Sequence, residues 1–369
     1  VLAAFPFPLP QGSQVFVEGQ LRALTAAGAE ATLFCYGSGV GPAAPDLRLR
    51  RLPRGLSPRG LRAGPSPGKP AADAALAGLL AREQRRRRFD AVLAHNGEAA
   101  LAAFCARALA PVPVVYVAHT LLARELDAYL PAGFAAPARQ AGILCDRAIA
   151  RRADAVIALC EAAAGQLSPH ARGPVAVIPP GLEPAAPPGA EEIERACRRA
   201  GVARGRFALY AGNLDRYQDL DVLAAVAEHA PELPLVVATH GARRLEAHSL
   251  RSRRVSPREA RALGFGCAAA VLPRRRAGGY PIKLLNYMEA GCAIVAREGI
   301  ADGLRHGHSA WLLPSDAGPA EFAVALRALL SDRARAHSLG RGARAALEER
   351  HAWPALAERT LAFLEGVRH

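Results

Sequence analysis

The 369-residue sequence predicts two α/β domains in tandem, each built on a doubly wound parallel sheet. Three observations carry this expectation. The chain is longer than one ordinary hydrophobic core serves. Short apolar runs of strand length alternate with longer stretches of helical period from one end to the other. Most of the strand-like runs end in a polar loop, often containing glycine, and loops at the carboxyl ends of parallel strands are where such folds hold ligands.

In order, residues 1–7 read as a buried strand, and Pro6, Pro8 and Pro10 extend the chain after it. Ser13 is a good N-cap for a helix running to Gly28, and residues 31–36 form the second strand. The run from Tyr36 to Gly41 resembles a dinucleotide fingerprint only superficially. Pro42 stands in place of the third glycine and no helix opens there, so it reads as a loop. Residues 41–70, rich in Pro, Gly and Arg, form a long excursion. Helix 71–88, strand 89–94, helix 97–109 and strand 112–118 follow. Their junctions present His95, Asn96 and Glu98, then His119 and Thr120. Helices 121–129 and 137–152, strand 154–159 and strand 175–178 complete the first domain, and residues 183–189 read as a hinge.

The second half repeats the logic with strand 207–211, a loop at 212–217, helix 218–230 and strand 233–239. Residues 242–257 are Arg-rich and carry no assignment. Helix 257–263 and strand 268–272 lead into Arg274, Arg275, Arg276, Gly278 and Gly279. A helix is then expected from Pro281 to its C′ glycine, Gly291. A basic, glycine-containing loop feeding a helix N-terminus favours an anion. The chain closes with strands 293–296 and 309–313 and helices 317–331, 332–350 and 353–367.

A hydrophobic content of 51% marks a globular chain, and no apolar run reaches membrane-spanning length. The first 36 residues lack the basic start of a secretion signal. The seven cysteines show no metal-binding or Cys-x-x-Cys spacing and read as buried free thiols of a reducing compartment, Cys35, Cys105, Cys160 and Cys292 in apolar runs among them. Net charge is +14, and lysine occurs only at 69 and 283. Residues 48–88 hold twelve Lys/Arg against two Asp/Glu, a patch suited to an anionic membrane surface or a phosphorylated acceptor, or simply a solvated loop. No nucleic-acid recognition motif accompanies the charge, so no specific nucleic acid is expected.

Several spaced motifs resemble a known family. They are Phe5 to Pro8 with Gly12, Ser13 and Gln14; residues 114–120 ending in His119; residues 177–181 ending in Pro179, Pro180 and Gly181; residues 209–214; residues 280–296; and residues 305–314. In this order they resemble the retaining family-4 glycosyltransferases of GT-B fold, two Rossmann-like domains facing across a cleft. The resemblance implies an acceptor-side domain at 1–183 and a nucleotide-sugar domain at 184–350, with a last helix, 351–369, crossing back. It implies a hexosyltransferase (EC 2.4) that moves sugar from a nucleotide-diphosphate sugar to a glycan or lipid-linked acceptor, without metal or other cofactor. The cysteines, read as reduced thiols, and the basic stretch 48–88 lead to the expectation of a cytoplasmic enzyme with peripheral attachment at the inner membrane face.

Four of the family's usual donor-site charges are missing. Gly278 and Asn286 stand where paired glutamates are usual, and Asn213 and Gln218 where Arg and Lys are usual. The chemistry is rebuilt here on Lys283 with Arg216 or one of Arg274–Arg276 against the diphosphate, Asn286 toward the ribose, and His119 on the sugar. The expected catalytic groups are His119, Lys283 and Arg216. Around the donor stand Gly12, Ser13, Gly212, Asn213, Gln218, Arg274, Gly279, Tyr280, Pro281, Ile282, Lys283 and Asn286. Asn96 and Glu125 face the acceptor. Glu289 replaces a usually small residue; it reads as solvent-facing and has no assigned role. The missing charges leave open a catalytically silent GT-B protein that serves as a binding partner in polysaccharide assembly. A nucleotide-sugar epimerase is disfavoured by the lack of carboxylates at strand ends.

Overall fold

The structure, a computed structural model, describes residues 1–9, 12–40, 45–58, 68–129, 132–215, 218–239, 250–276 and 278–367; the side chains of 125, 127–129 and 132 also fall outside the description. The chain forms two compact units. Unit 1 is Val1–Gly181 with Gly278–Tyr280 and Ala352–His369, and unit 2 is Leu182–Ala277 with Pro281–His351.

Unit 1 carries β1 (Leu2–Pro6), β2 (Leu33–Tyr36), β3 (Leu49–Arg51), β4 (Val92–His95), β5 (Val114–Ala118), β6 (Ala155–Ala158) and β7 (Val175–Val177). They form one all-parallel sheet in the order β3-β2-β1-β4-β5-β6-β7. The central strands are buried on both faces, which is why β5 reads Val-Val-Tyr-Val-Ala without alternation. The helices are α1 (Gly12–Ala26), α2 (Lys69–Arg87), α3 (Asn96–Leu109), α4 (Leu122–Tyr129), α5 (Ala135–Arg152), α6 (Glu161–Leu167) and the C-terminal α13 (Trp353–Val367). Trp353 anchors α13: its indole lies against Gly19 of α1 and against Gly181, and a Cβ on Gly19 would stand 2.5 Å from the ring. The Arg359 guanidinium donates to the Val177 carbonyl at 2.8 Å.

Unit 2 carries α7 (Ala190–Ala200), β8 (Ala208–Ala211), α8 (Asp221–His229), β9 (Leu235–Thr239), β10 (Leu250–Arg254), α9 (Pro257–Gly266), β11 (Ala269–Leu272), α10 (Lys283–Ala290), β12 (Ala293–Arg297), β13 (Trp311–Leu313), α11 (Pro319–Ser331) and α12 (Arg333–Arg350). Its sheet is also parallel, in the order β10-β9-β8-β11-β12-β13. Alternation along β9 sends Leu235 and Val237 into a core with Phe322 and Leu326, and Val236 into a second core with Ile193, Phe207 and Leu263. Gly291 ends α10 with φ +62°, its N–H donating to Met288 and Tyr287 carbonyls.

Both sheets reverse direction of winding at one point, between β1 and β4 in unit 1 and between β8 and β11 in unit 2. Ligands of doubly wound folds bind at the carboxyl ends of the strands flanking that point.

The structure departs from the sequence expectations in several places. Helix α7 was not expected, although Ile193, Ala196, Cys197 and Ala200 form one buried stripe. Strands β3 and β10 occupy stretches without a strand signal, because edge strands bury little: β10 encloses only Leu250 and Ser252 and turns its arginines out. Helix α10 proper starts at Lys283, with Pro281 and Ile282 in the preceding turn. Cys105 and Cys145 are exposed and Cys267 half-buried, so only four of the seven cysteines are buried as expected.

Candidate functional site

Unit 2 places its candidate residues at the switch point. The loop after β8 supplies Gly212 and Asn213, the chain after β11 supplies Arg274, and the first turn of α10 supplies Lys283. The Lys283 ammonium donates to the Tyr210 hydroxyl at 2.7 Å and to Gln218 Oε1 at 2.9 Å, and lies 4.3 Å from the Tyr210 ring centroid. Arg274 Nε donates to the same Gln218 oxygen at 3.0 Å. The Gln218 side-chain nitrogen donates to Asn213 Oδ1 at 3.0 Å, and the Tyr210 hydroxyl donates to the Asn213 carbonyl at 2.6 Å. Gln218, only 1% exposed, is therefore no gap left by a lost cation. It is a neutral acceptor that draws two cations onto one atom.

Among the described residues no carboxylate pairs with Lys283. Burial, and secondarily Arg274, hold its ammonium well below the usual lysine range, with Asp215 opposing. Gly212, at φ +154°, makes room: a Cβ there would stand 2.7 Å from Lys283 Nζ. One turn along α10, the Tyr287 hydroxyl accepts from the Ala211 N–H at 2.8 Å and fixes the end of β8. Asp219, in left-handed backbone at φ +52°, accepts from the Arg275 N–H at 2.6 Å.

Behind this group lies Arg297, fully buried at the end of β12. Its Nε and Nη2 donate to the Ala317 carbonyl at 3.0 and 2.7 Å, its Nη1 donates to the Pro273 carbonyl, and the guanidinium lies 5.0 Å from the Phe322 ring centroid. Burial, then the neighbouring Arg275, lower its proton affinity, and Asp219 opposes. Asn286 is exposed one turn after Lys283, and Arg275 and Arg276 are exposed. Arg216 lies outside the described residues.

Glu289 is corrected outright. It is 5% exposed and holds Arg261 through two contacts of 2.8 and 3.1 Å. It also accepts from the Ala185 N–H at 3.2 Å, while Arg261 donates to the Ala185 and Ala186 carbonyls at 2.9 and 3.0 Å. The segment read as a hinge is thus pinned to α9 and α10 by a half-buried ion pair.

Unit 1 gathers its own candidates at its switch point. His95 ends β4 and His119 follows β5, and their Nδ1 and Nε2 atoms stand 2.7 Å apart. Phe16 of α1 meets His119 edge-on, centroids 4.8 Å apart. Gly12 is exposed and Ser13 half-buried at the start of α1. Asn96 adopts left-handed backbone at φ +71°, a conformation that asparagine tolerates better than most residues and that recurs at functional sites. The Asp146 carboxylate accepts the Leu122 and Ala123 N–H groups at 3.0 Å each and so holds the start of α4. The Glu125 side chain on that helix lies outside the description. At the same edge of the sheet the Tyr36 hydroxyl bonds Asp73, whose carboxyl burial pushes up to about 6, and Lys69 stands 3.6 Å from Glu98.

The short segment Gly278–Tyr280 belongs to unit 1. Gly279 forms an antiparallel bridge with Thr120, and the Leu121 N–H donates to the Gly278 carbonyl at 2.8 Å. A Cβ on Gly278 would meet Arg124 Cγ at 2.6 Å, and one on Gly279 would overlap the His119 carbonyl oxygen. Gly278 therefore satisfies a close approach of two segments of the chain at a position where the family usually has glutamate. Gly279→Ala is expected to destabilise the protein by about 1–3 kcal/mol, because backbone has to shift to admit the methyl group. A thermal melt that matches the parent protein would contradict this.

Tyr210, Tyr287, Asp219 and Arg297 were not singled out in the sequence. Only Tyr210 left a signal there, as the last large residue before the Gly212 loop.

Two all-parallel, doubly wound sheets in one chain, each gathering polar side chains at its switch point, are the architecture of the GT-B class of glycosyltransferase fold. Family models agree: Glycosyltransferase Family 4 matches residues 10–186 and Glycosyl transferases group 1 matches residues 205–332. The chain is a glycosyltransferase of GT-B fold, with a Family 4 match in its first half and a group 1 match in its second. Among solved structures it is similar to sucrose-phosphate synthase from Thermosynechococcus elongatus (16% identity, TM-score 0.78, covering 97% of this chain and 94% of that one). It is also similar to HepE from Anabaena in complex with UDP-glucose (14%, 0.73, 99% and 98%). A third is WaaG, a glycosyltransferase involved in lipopolysaccharide biosynthesis (14%, 0.67, 99% and 99%). At such identities the likeness concerns the fold. No curated protein matches the chain.

Proposed function

We propose that this glycosyltransferase moves a hexosyl group from a nucleoside-diphosphate sugar to a glycan or lipid-linked acceptor, with retention of configuration and without a metal ion. The observation that carries the reading is the Lys283–Gln218–Arg274 arrangement, two cations drawn onto one neutral oxygen at the switch point of unit 2. A diphosphate placed against them relieves their mutual repulsion. Charge grows on that group as the glycosidic bond breaks, and preorganised cations lower the barrier. In the retaining reaction the leaving phosphate helps deprotonate the acceptor on the same face, so no protein nucleophile is required. His119 holds the sugar through a hydrogen bond, and Asn286 is available to the ribose. HepE binds UDP-glucose and WaaG serves lipopolysaccharide biosynthesis; both support the substrate classes proposed here.

The test is a panel of UDP-, GDP- and dTDP-sugars, read by transfer and by donor hydrolysis. One donor should turn over with the parent protein and fail with Lys283→Ala. Neither binding nor turnover with any donor would refute the proposal. Nucleotide binding without turnover, alongside a stable protein partner, would favour the silent binding role that the four missing charges at Asn213, Gln218, Gly278 and Asn286 first motivated.

We place the enzyme at the cytoplasmic face of a membrane. Among the described residues no helix is long and apolar enough to cross one. The support is α2, whose end exposes Arg85, Arg86, Arg87 and Arg88. Glu83 stands within 3.7 Å of Arg50, Arg86 and Arg87, and one carboxylate leaves most of that charge uncompensated. Replacing all four arginines at 85–88 by glutamine is expected to weaken binding to phosphatidylglycerol vesicles about tenfold or more. Unchanged co-sedimentation would remove the membrane assignment.

A further inference from the structure

The sequence reading left His95 without a role. It is 0% exposed and His119 only 6%. The parallel register of β4 and β5 sets His95 beside Val117, two residues before His119, and the two rings meet at 80° with centroids 5.0 Å apart. Phe16 closes the space against both rings, and Trp353 backs Phe16 at 5.6 Å. Burial, and for His95 also the neighbouring His119, drives both imidazoles neutral.

A neutral imidazole carries one N–H and one bare nitrogen. The contact between His95 Nδ1 and His119 Nε2 holds one proton, so only two arrangements exist. In the first, His95 Nδ1–H donates, His95 Nε2 is bare, and the His119 proton resides on Nδ1. In the second, His119 Nε2–H donates, and His95 carries its own proton on Nε2. His95 Nε2 is fully enclosed and has no hydrogen-bond partner, whereas His119 Nδ1 is not among such enclosed atoms. An enclosed N–H without an acceptor is the rarer defect; an under-used acceptor is better tolerated. The first arrangement is therefore the stable one.

We propose that His95 is a positioning residue: its Nδ1–H locks His119 in the Nδ1–H tautomer, so that His119 offers a fixed hydrogen-bond donor to a hydroxyl oxygen of the sugar substrate. The catalytic half of this statement rests on the function proposed above; the tautomer half stands on the geometry alone.

The experiment is long-range proton–nitrogen correlation NMR of the ¹⁵N-histidine-labelled full chain, with His119→Gln to assign the ring. Near neutral pH, His119 should be uncharged, with Nδ1 protonated and Nε2 bare. His95→Asn places an amide donor near the original Nδ1 and should keep that pattern. His95→Leu removes the donor and should shift His119 toward Nε2–H. Turnover should then fall about tenfold with the nucleotide's Kd unchanged, the loss of roughly one hydrogen bond in the transition state, and should recover in His95→Asn. Finding His119 protonated on Nε2 or cationic in the parent chain overturns the proposal, as does a pattern indifferent to His95→Leu. If the NMR pattern responds as expected and turnover does not, the tautomer lock stands and the sugar-binding role of His119 falls.

Discussion

Replacing Lys283 by alanine is expected to lower kcat/KM for the nucleotide-sugar donor by about 10²–10³-fold, the usual effect of deleting one preorganised donor to a developing negative charge. The structural reasons are specific. The ammonium is aimed by Tyr210 and Gln218, both neutral, so its charge is not spent on a carboxylate among the described residues. Gly212 leaves space on the other side of Nζ. Alanine removes the charge and also strands the Gln218 oxygen with Arg274 alone. Arginine is no conservative substitute, because its planar fork cannot occupy a socket shaped for a compact ammonium. Initial rates and a thermal melt, taken together, separate lost chemistry from lost folding; parental kcat/KM in Lys283→Ala would refute the assignment.

The same lysine sets a pH dependence. Burial and Arg274 depress its proton affinity, and a bound diphosphate raises it again. The protonated form is the one that binds. Nucleotide affinity is therefore fullest below the pKa of the nucleotide-free protein and falls as pH rises through the higher pKa of the complex. Binding takes up a proton in the window between the two. Calorimetry in two buffers of different ionisation enthalpy reads that uptake directly, and it should vanish in Lys283→Met.

Glu289→Ala is expected to destabilise unit 2 by about 2–3 kcal/mol, the cost of taking a charged acceptor from a half-buried arginine and from the Ala185 N–H. Arg261 would lose the carboxylate it pairs with and keep its bonds to the Ala185 and Ala186 carbonyls, and the Ala185 N–H would lose its acceptor. Glu289→Gln keeps an acceptor for that N–H and should cost about 1–2 kcal/mol. Urea unfolding followed by Trp311 fluorescence in a Trp353→Phe background isolates the unit concerned. Equal midpoints for Glu289→Ala and its parent would show that the pair contributes nothing.

Much of the fold was legible because buried parallel strands announce themselves as apolar runs, and β5, β8 and β12 did so plainly. The edge strands β3 and β10 did not, since half of each faces solvent and their arginines obscure the pattern. Lys283 was legible through scarcity, as one of two lysines in an arginine-rich chain. Gln218 was noticed for its residue type, a neutral side chain where a charge is usual, and the fold adds that its one oxygen joins two cations. Glu289 and Arg261 are 28 residues apart, and nothing local to either announces the other. His95 was seen, but its meaning lies in an atom-to-atom contact with His119 that no spacing rule encodes.

Arg297 has a consequence for behaviour in salt. Arg275 and Arg276 are exposed, and dissolved ions screen such charges within about 10 Å at moderate ionic strength. The Arg297 guanidinium is enclosed, solvated by the Pro273 and Ala317 carbonyls in place of water, and no counter-ion reaches it. Its field persists where theirs fades. Nucleotide affinity measured against rising sodium chloride should therefore decline and then level off, and the plateau belongs to the enclosed charge.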